Sequence, residues 1–334
     1  MTSVPGTPII QTFGLSKRYR KTTAVDDISF RVEPGQVFGF LGPNGAGKTT
    51  TIGLLLGIIT PTGGRFELFG GGGASDLHAA RRRIGATLET PNFYPYLSGR
   101  DNLRIVANVK RRDAAEIERV LDLVGLGRRA KHKFKAYSLG MKQRLALAAT
   151  MLGDPELIIL DEPANGLDPE GMREIREIIR GLGERGKTIF LSSHLLSEVE
   201  RTCTHVAIIQ NGRIIRQDSV ADVTSHGVAG LRSADLEALA AAVAEYPAAR
   251  WSDRRGDRVV AELEDGDLAA LNAWLGARGI YLSHVALEAR SLEDVFMEAT
   301  GAAEGQSAEV GPGAVSYTHL RAHETAMNIS YAVF

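Results

Sequence analysis

The 334-residue chain holds a single cysteine, Cys203, which excludes a disulfide framework within one chain and fits a reducing compartment. Catalysis is not expected of it. Long apolar runs are missing too: the richest, residues 52–59, falls far short of the roughly 18 to 20 residues that span a bilayer. If membranes matter to this protein, another chain does the spanning. The opening "MTSVPGTPII" has no basic segment followed by an apolar core, so no secretory signal is expected. Nor is there an excess of charge. Lys and Arg total 39 against 40 for Asp and Glu, which gives no global pull toward nucleic acid or an anionic surface. Basic runs at 81–83 and 128–135 could grip a polyanion, but solvated helix faces are the favoured reading.

What is present is an alternation of strands and helices. Residues 32–41 read as a hairpin arm, a Pro34-Gly35 turn and a buried strand, followed by glycine-rich "GPNGAGKTT" and an apolar helix over 50–59. Short strands are expected over 65–89, around the glycines at 70–73, then helices to Val124. Ser98 with Asp101, and Asp113 with Glu116, have capping-box spacing, and Gly125 is a stop. "LIILDEP" reads as a strand buried on both faces of a parallel sheet. A helix (169–182), a strand (188–191) and a helix (195–203) continue the α/β pattern. "HVAIIQNGRIIRQ" closes it, with Asn211-Gly212 as a strong hairpin signal. Beyond Asp218 the order becomes βαββαβ, with elements at 228–232, 234–245, 250–252, 258–263, 267–277 and 281–288, a ferredoxin-like candidate. A last helix over 292–299 has Ser291 and Asp294 as a cap. The expected divisions are 1–218, 219–300, a polar linker at 301–314 and a tail at 315–334. That tail shares neither the composition nor the periodicity of what precedes it. It reads as a disordered or non-native, vector-like segment.

Chemistry concentrates in the first part. Gly42, four spacers, Gly47, Lys48 and Thr49 complete a phosphate-binding loop between a strand and a helix. Glycines at 42, 45 and 47, with Asn44 and Ala46, let backbone N–H groups curl around a phosphate. Lys48 adds a point charge at the β/γ oxygens, and the Thr49 hydroxyl suits Mg²⁺. The strand through Leu160 delivers Asp161 and Glu162 to its carboxyl end, where open α/β sheets bind ligands. Adjacent carboxylates on an extended strand face opposite sides. Asp161 is therefore expected in the Mg²⁺ shell and Glu162 as acceptor of a proton from the attacking water. "YSLGMKQRLALAA" opens a second helix with an anion-binding look, which raises the question of whose phosphate it holds.

Taken in order, "GPNGAGKTT", "YSLGMKQR", "LIILDEP", "NGLDP" and "LSSH" resemble the motif set of an ATP-binding cassette (ABC) ATPase subunit over roughly residues 9–218. The resemblance implies a P-loop cassette with a RecA-like core, an antiparallel β subdomain and a helical subdomain, followed by a small α+β accessory domain. It also answers the question of the second anion site: Ser138 and the backbone near Gly140 would bind the γ-phosphate of ATP held by a second cassette, head to tail. By the same resemblance Tyr19 would stack on adenine with Val25 nearby, Thr50 would contact the α-phosphate, and Asp168 would reach across the dimer. His194 would contact the γ-phosphate and position Glu162.

Two positions depart from that pattern: Glu89 stands where a glutamine is common, and Leu139 where the signature usually has its first glycine. Both resemble a subgroup of bacterial drug and antibiotic exporters, bacitracin-type ones included, whose accessory domain looks like the one ending "LEDVFMEATG" here. Glu89 is expected as a tuned contact that leaves hydrolysis intact. The implied function is an Mg²⁺-dependent ATPase. It works as a homodimer or heterodimer of cassettes, held at the cytoplasmic face of the membrane by a separate permease docked near residues 89–96, and no nucleic acid is expected. The alternatives are an ABC ATPase of ribosomes or DNA, which the single uninterrupted cassette argues against, and a non-hydrolysing regulatory cassette, which the presence of Glu162 and His194 argues against.

Overall fold

The computed structural model describes residues 6–88, 92–224, 228–263, 266–288 and 291–297, and the chain divides into two compact units between Gln217 and Asp218. The linker and tail lie outside the described residues.

The first unit begins with β1 (Ile10–Tyr19), β2 (Thr22–Ile28), β3 (Arg31–Val32) and β4 (Val37–Leu41). Next come α1 (Lys48–Leu55), β5 (Gly63–Leu68), α2 (Ala74–Arg81), β6 (Ile84–Thr87), α3 (Gly99–Val109) and α4 (Ala114–Leu123). Then follow α5 (Leu139–Met151), β7 (Leu157–Asp161), α6 (Pro169–Glu184), β8 (Thr188–Ser193), α7 (Leu196–Thr202), β9 (His205–Gln210) and β10 (Arg213–Ser219). Two sheets result. One is antiparallel, with β1 bonded to β2, β3 and β5; the other runs β10-β9-β4-β8-β7-β6. In the second sheet β9, β4, β8, β7 and β6 are mutually parallel, so their carboxyl ends share one edge. All five residues of β4 and of β7 are buried, as their unbroken apolar runs require. Phe30, Phe38, Phe40 and Phe190 stack between the two sheets at centroid separations of 5.5–5.9 Å.

Local chemistry sets several boundaries. The Ser98 hydroxyl accepts the Asp101 N–H and caps α3, and Gly125 ends α4's turn at φ +68°. Asn211 and Gly212 both have positive φ, +50° and +80°, the primed turn that suits a tight hairpin.

Four sequence expectations change. Pro34-Gly35 does not join a hairpin: β3 pairs with β1 and β4 with β8 and β9, so the turn carries the chain from one sheet to the other. The glycines at 70–73 lead into a helix, α2, whose Gly73 N–H is accepted by Asp76. Asp113 makes no cap bond. Its expected partner Glu116 instead accepts the Gly153 N–H at 2.8 Å. Finally, the basic run at 81–83 is only partly solvated. Arg81 donates to the Leu56 and Gly57 carbonyls, and Arg83 grips Glu156 through two bonds of 2.6 and 2.7 Å. That guanidinium holds the Glu156 carboxyl below its ordinary pKa.

The second unit contains α8 (Val220–Thr224), β11 (Val228–Ser233), α9 (Leu236–Ala244), β12 (Ala249–Arg255), β13 (Arg258–Leu263), α10 (Leu268–Gly276) and β14 (Leu282–Glu288), then a helix over 292–297. The sheet order is β12-β13-β11-β14, antiparallel throughout, the split βαβ arrangement. Its core includes Leu231, Leu239, Val259, Leu271 and Leu275, all fully buried. The Ser291 hydroxyl accepts the Asp294 N–H and the Asp294 carboxylate accepts the Ser291 N–H, which caps the last helix. Among the described residues no helix is long and apolar enough to cross a membrane.

Candidate nucleotide site

The shared carboxyl edge of β4, β8 and β7 assembles the site. β4 runs into the loop Gly42–Gly47, β7 ends at Asp161, and β8 ends one residue before His194; Leu41 stands opposite Ser193, and Asp161 opposite Ser192. The Gly42 N–H donates to the Ser193 carbonyl at 3.2 Å, so the loop starts tied to the strand that carries the histidine.

The loop fits a phosphate and nothing bulkier in its own backbone. A Cβ on Gly42 would stand 2.3 Å from the Ile209 carbonyl oxygen, and one on Gly47 2.4 Å from that of Ala24. Gly47 also has φ +109°, which excludes a side chain on backbone grounds. Gly45, at φ +82°, opens outward with Asn44 exposed beside it, while Ala46 is buried. α1 begins at Lys48 with no capping side chain and no acid in its first turn. Its leading N–H groups therefore suit an anion. Thr49 and Thr50 lie in that first turn, Thr49 exposed and Thr50 half-buried.

Lys48 is buried, with 6% of its side chain exposed. Its Nζ donates to the Gly42 and Pro43 carbonyls at 2.7 and 3.2 Å and pairs with Glu162 Oε1 at 3.1 Å. The other Glu162 oxygen, Oε2, lies 2.8 Å from His194 Nδ1. One carboxylate thus joins the loop lysine to the histidine.

Asp161 and Glu162 are separated by more than strand alternation. β7 ends at Asp161, and Glu162 turns left-handed, φ +49°, a conformation uncommon for residues other than glycine and concentrated at functional sites. Ser192 holds both acids. Its hydroxyl donates to Asp161 Oδ1 at 2.5 Å and accepts the Glu162 N–H at 2.9 Å. Sequence reasoning passed over Ser192. The hydroxyls at the end of the buried strand "TIFLSS" were the available signal, because a buried hydroxyl demands partners.

A second group forms around α5. Ser138 caps this helix by accepting the Met141 N–H, and Asp168 caps α6 by accepting that of Gly171. Leu139 Cδ2 lies 3.4 Å from where a Cβ on Gly166 would stand. A Cβ on Gly140 would meet Leu167 and Gly171 at 3.9 Å. The start of "SLGM" thus packs on the "NGLDP" turn of the same chain. Tyr19 closes β1, nearly half exposed, with Lys17 Nζ 4.9 Å above its ring. Val25 is fully buried and reaches the loop from beneath, its Cγ2 3.5 Å from the Cβ position of Gly47. Glu89 lies outside the described residues. Cys203 is buried, and burial pushes its thiol pKa up, which removes it from nucleophilic chemistry.

The donor set suits Mg²⁺ bound through a substrate. Among the described residues there is no cluster of three or more His, Cys, Asp or Glu able to hold a metal alone. A hydroxyl such as Thr49 and a single acid such as Asp161 fit an ion that takes its remaining ligands from phosphate and water.

Comparison with known proteins agrees with this geometry. Residues 25–165 match the ABC transporter family. The bacitracin transport ATP-binding protein BcrA of Bacillus licheniformis is 46% identical over 213 residues, 63% of this chain and 69% of the relative. The solved structure of cbiO1 from Clostridium perfringens, described as part of the ABC transporter complex cbiONQ, superposes with a TM-score of 0.60 at 26% identity over 66% of this chain and 91% of that one. The ABC transporter ATP-binding protein YhcH of Bacillus subtilis (strain 168), uncharacterised, is 39% identical over 297 residues, 88% of this chain and 96% of the relative. Matched across nearly the whole length of that last relative, the chain belongs to the family of ABC transporter ATP-binding proteins.

Proposed function

We propose that the chain is the ATP-hydrolysing subunit of an exporter, working as a dimer of cassettes on a separate membrane permease, with drug, antibiotic or peptide efflux as its task. The observation that carries the hydrolytic reading is the shared carboxylate: Glu162 is held by Lys48 on one oxygen and His194 on the other. Lys48 sets positive charge beside the β/γ-phosphates, and the glycine loop with the first turn of α1 cradles them. Thr49 and Asp161 would hold Mg²⁺, which supplies charge neutralisation at the phosphate oxygens. Glu162 takes a proton from the attacking water as its oxygen bonds to the γ-phosphorus and ADP leaves. His194 engages Glu162 through Nδ1, and its Nε2 serves the γ-phosphate. Thr50 contacts the α-phosphate, Tyr19 stacks on adenine with Val25 supporting the loop, and Glu89 is a tuned contact.

Ser138, Gly140 and Asp168 complete the site of a second copy. Their packing against one another through Leu139 and Gly166 supports their acting as one surface. Efflux of a drug or peptide draws its support from the bacitracin transport relative.

The test is Glu162→Gln in the purified protein. ATP binding should persist while turnover falls by about 100-fold or more, the scale of general-base catalysis. Near-normal turnover would remove Glu162 as the base. Co-purification with a protein bearing apolar spans of about 20 residues tests the permease.

A further inference from the structure

α7, which follows the histidine, is seven residues long and has no capping side chain. A helix of two turns has little stability of its own, so its position is set by what it packs on. Two anchors are visible. Beneath it, Gly39 of β4 lets Val199 and Cys203 come down onto the strand: a Cβ at Gly39 would stand 2.6 Å from Val199 Cγ1 and 3.0 Å from the Cys203 sulfur. Beside it, Arg176 of α6 grips Glu198 through Nε and a terminal nitrogen, each 3.2 Å from a different carboxylate oxygen. Their side chains are only 19% and 14% exposed.

The pair borders a cleft that also has Glu162, Met172 and Leu195 in its wall. Only His194 and Leu195 separate the end of β8 from the start of α7, so a shift of α7 moves the histidine backbone. Arg176 lies on the helix whose N-terminal cap is Asp168, about two turns along.

We infer that Arg176 and Glu198 form a positioning pair that holds His194 against Glu162 and ties α6, with Asp168 at its head, to the switch histidine. This rests on the hydrolytic reading above. The planar guanidinium fork fixes direction as well as distance, which a lysine cannot do. Net stability is the lesser effect, since desolvating two charges offsets much of their attraction.

The measurement is steady-state ATPase, with nucleotide affinity from a fluorescent ATP analogue and melting recorded for each variant. Wild-type turnover and its loss in Glu162→Gln first establish the underlying reading; absence of wild-type turnover overturns that reading and this inference together. Arg176→Lys should then lower kcat by about tenfold, the scale of a small misplacement near the chemistry, with KM and analogue affinity unchanged. In a His194→Ala background it should lower kcat no further. The reversed pair, Arg176→Glu with Glu198→Arg, should recover most of the lost rate. Wild-type kcat in Arg176→Lys, a raised KM alone, additive loss in the His194→Ala background, or a folded reversed pair that stays slow would each overturn the proposal. If Arg176→Lys fails to fold, the reversed pair decides alone.

Discussion

At the scale of single residues, Ser192 bonds to both Asp161 and Glu162, the two acids to which the proposed function gives different tasks. Ser192→Ala leaves Asp161 Oδ1 without its 2.5 Å donor and the Glu162 N–H without its acceptor, in a position fully closed to water. The expected cost is about 1–3 kcal/mol of stability, read by denaturant unfolding, together with reduced kcat. Lys110 offers a pH test. Its ammonium is desolvated in a cleft beside Arg112, and burial, aided by that guanidinium, brings its pKa down to about 8 from 10.5. Because the folded value lies below the unfolded one, the folded state binds fewer protons between these limits. Stability is penalised below pH 8 and recovers as pH rises toward 10.5. The melting temperature of the wild type should therefore climb relative to Lys110→Met across that window. A difference constant with pH would contradict it.

At the scale of elements, α7 is the piece most exposed to small changes underneath it. Gly39→Ala forces a methyl into Val199 and should lift the helix, costing about 1–3 kcal/mol by overpacking and lowering kcat more than it raises KM. Val199→Ala should restore part of both, since the Cys203 sulfur still crowds the methyl at 3.0 Å, measured by melting and ATPase rate. What the sequence disclosed about elements follows how local their causes are. The glycine loop, the Ser98 cap and the Asn211-Gly212 turn are each written within a few residues and appear as read. The strand through Leu160 was legible because a parallel strand buried on both faces has nothing polar to hide. Pro34-Gly35 was misread because any turn looks like a hairpin until the partner of each arm is known, and β3's partner is β1. α2 was missed because a run of glycines masks the Asp76 cap that starts it. The tethers of Arg81 and Arg83 join residues 24 to 73 positions apart, which no local pattern reveals. Arg176 and Glu198, 22 apart on separate helices, escaped for the same reason.

At the scale of the whole molecule, the proposed function makes catalysis a property of two copies. Turnover per chain should rise with protein concentration, and Ser138→Arg should abolish that rise while leaving ATP affinity within about twofold, since its hydroxyl serves the partner's nucleotide. Flat specific activity on dilution would count against a shared site. Within one copy, the tip of the β9–β10 hairpin joins the two sheets: the Gly212 carbonyl accepts the Asp26 N–H at 2.8 Å, and the Gly212 N–H donates to Ala46 at 3.1 Å. Two main-chain bonds make this strut, with the Arg213–Asp26 ion pair at 2.7 Å beside them, and its span is set by how many residues the bend contains. A one-residue insertion there would lengthen it by about 3.3 Å, pulling β2 out of step with the glycine loop.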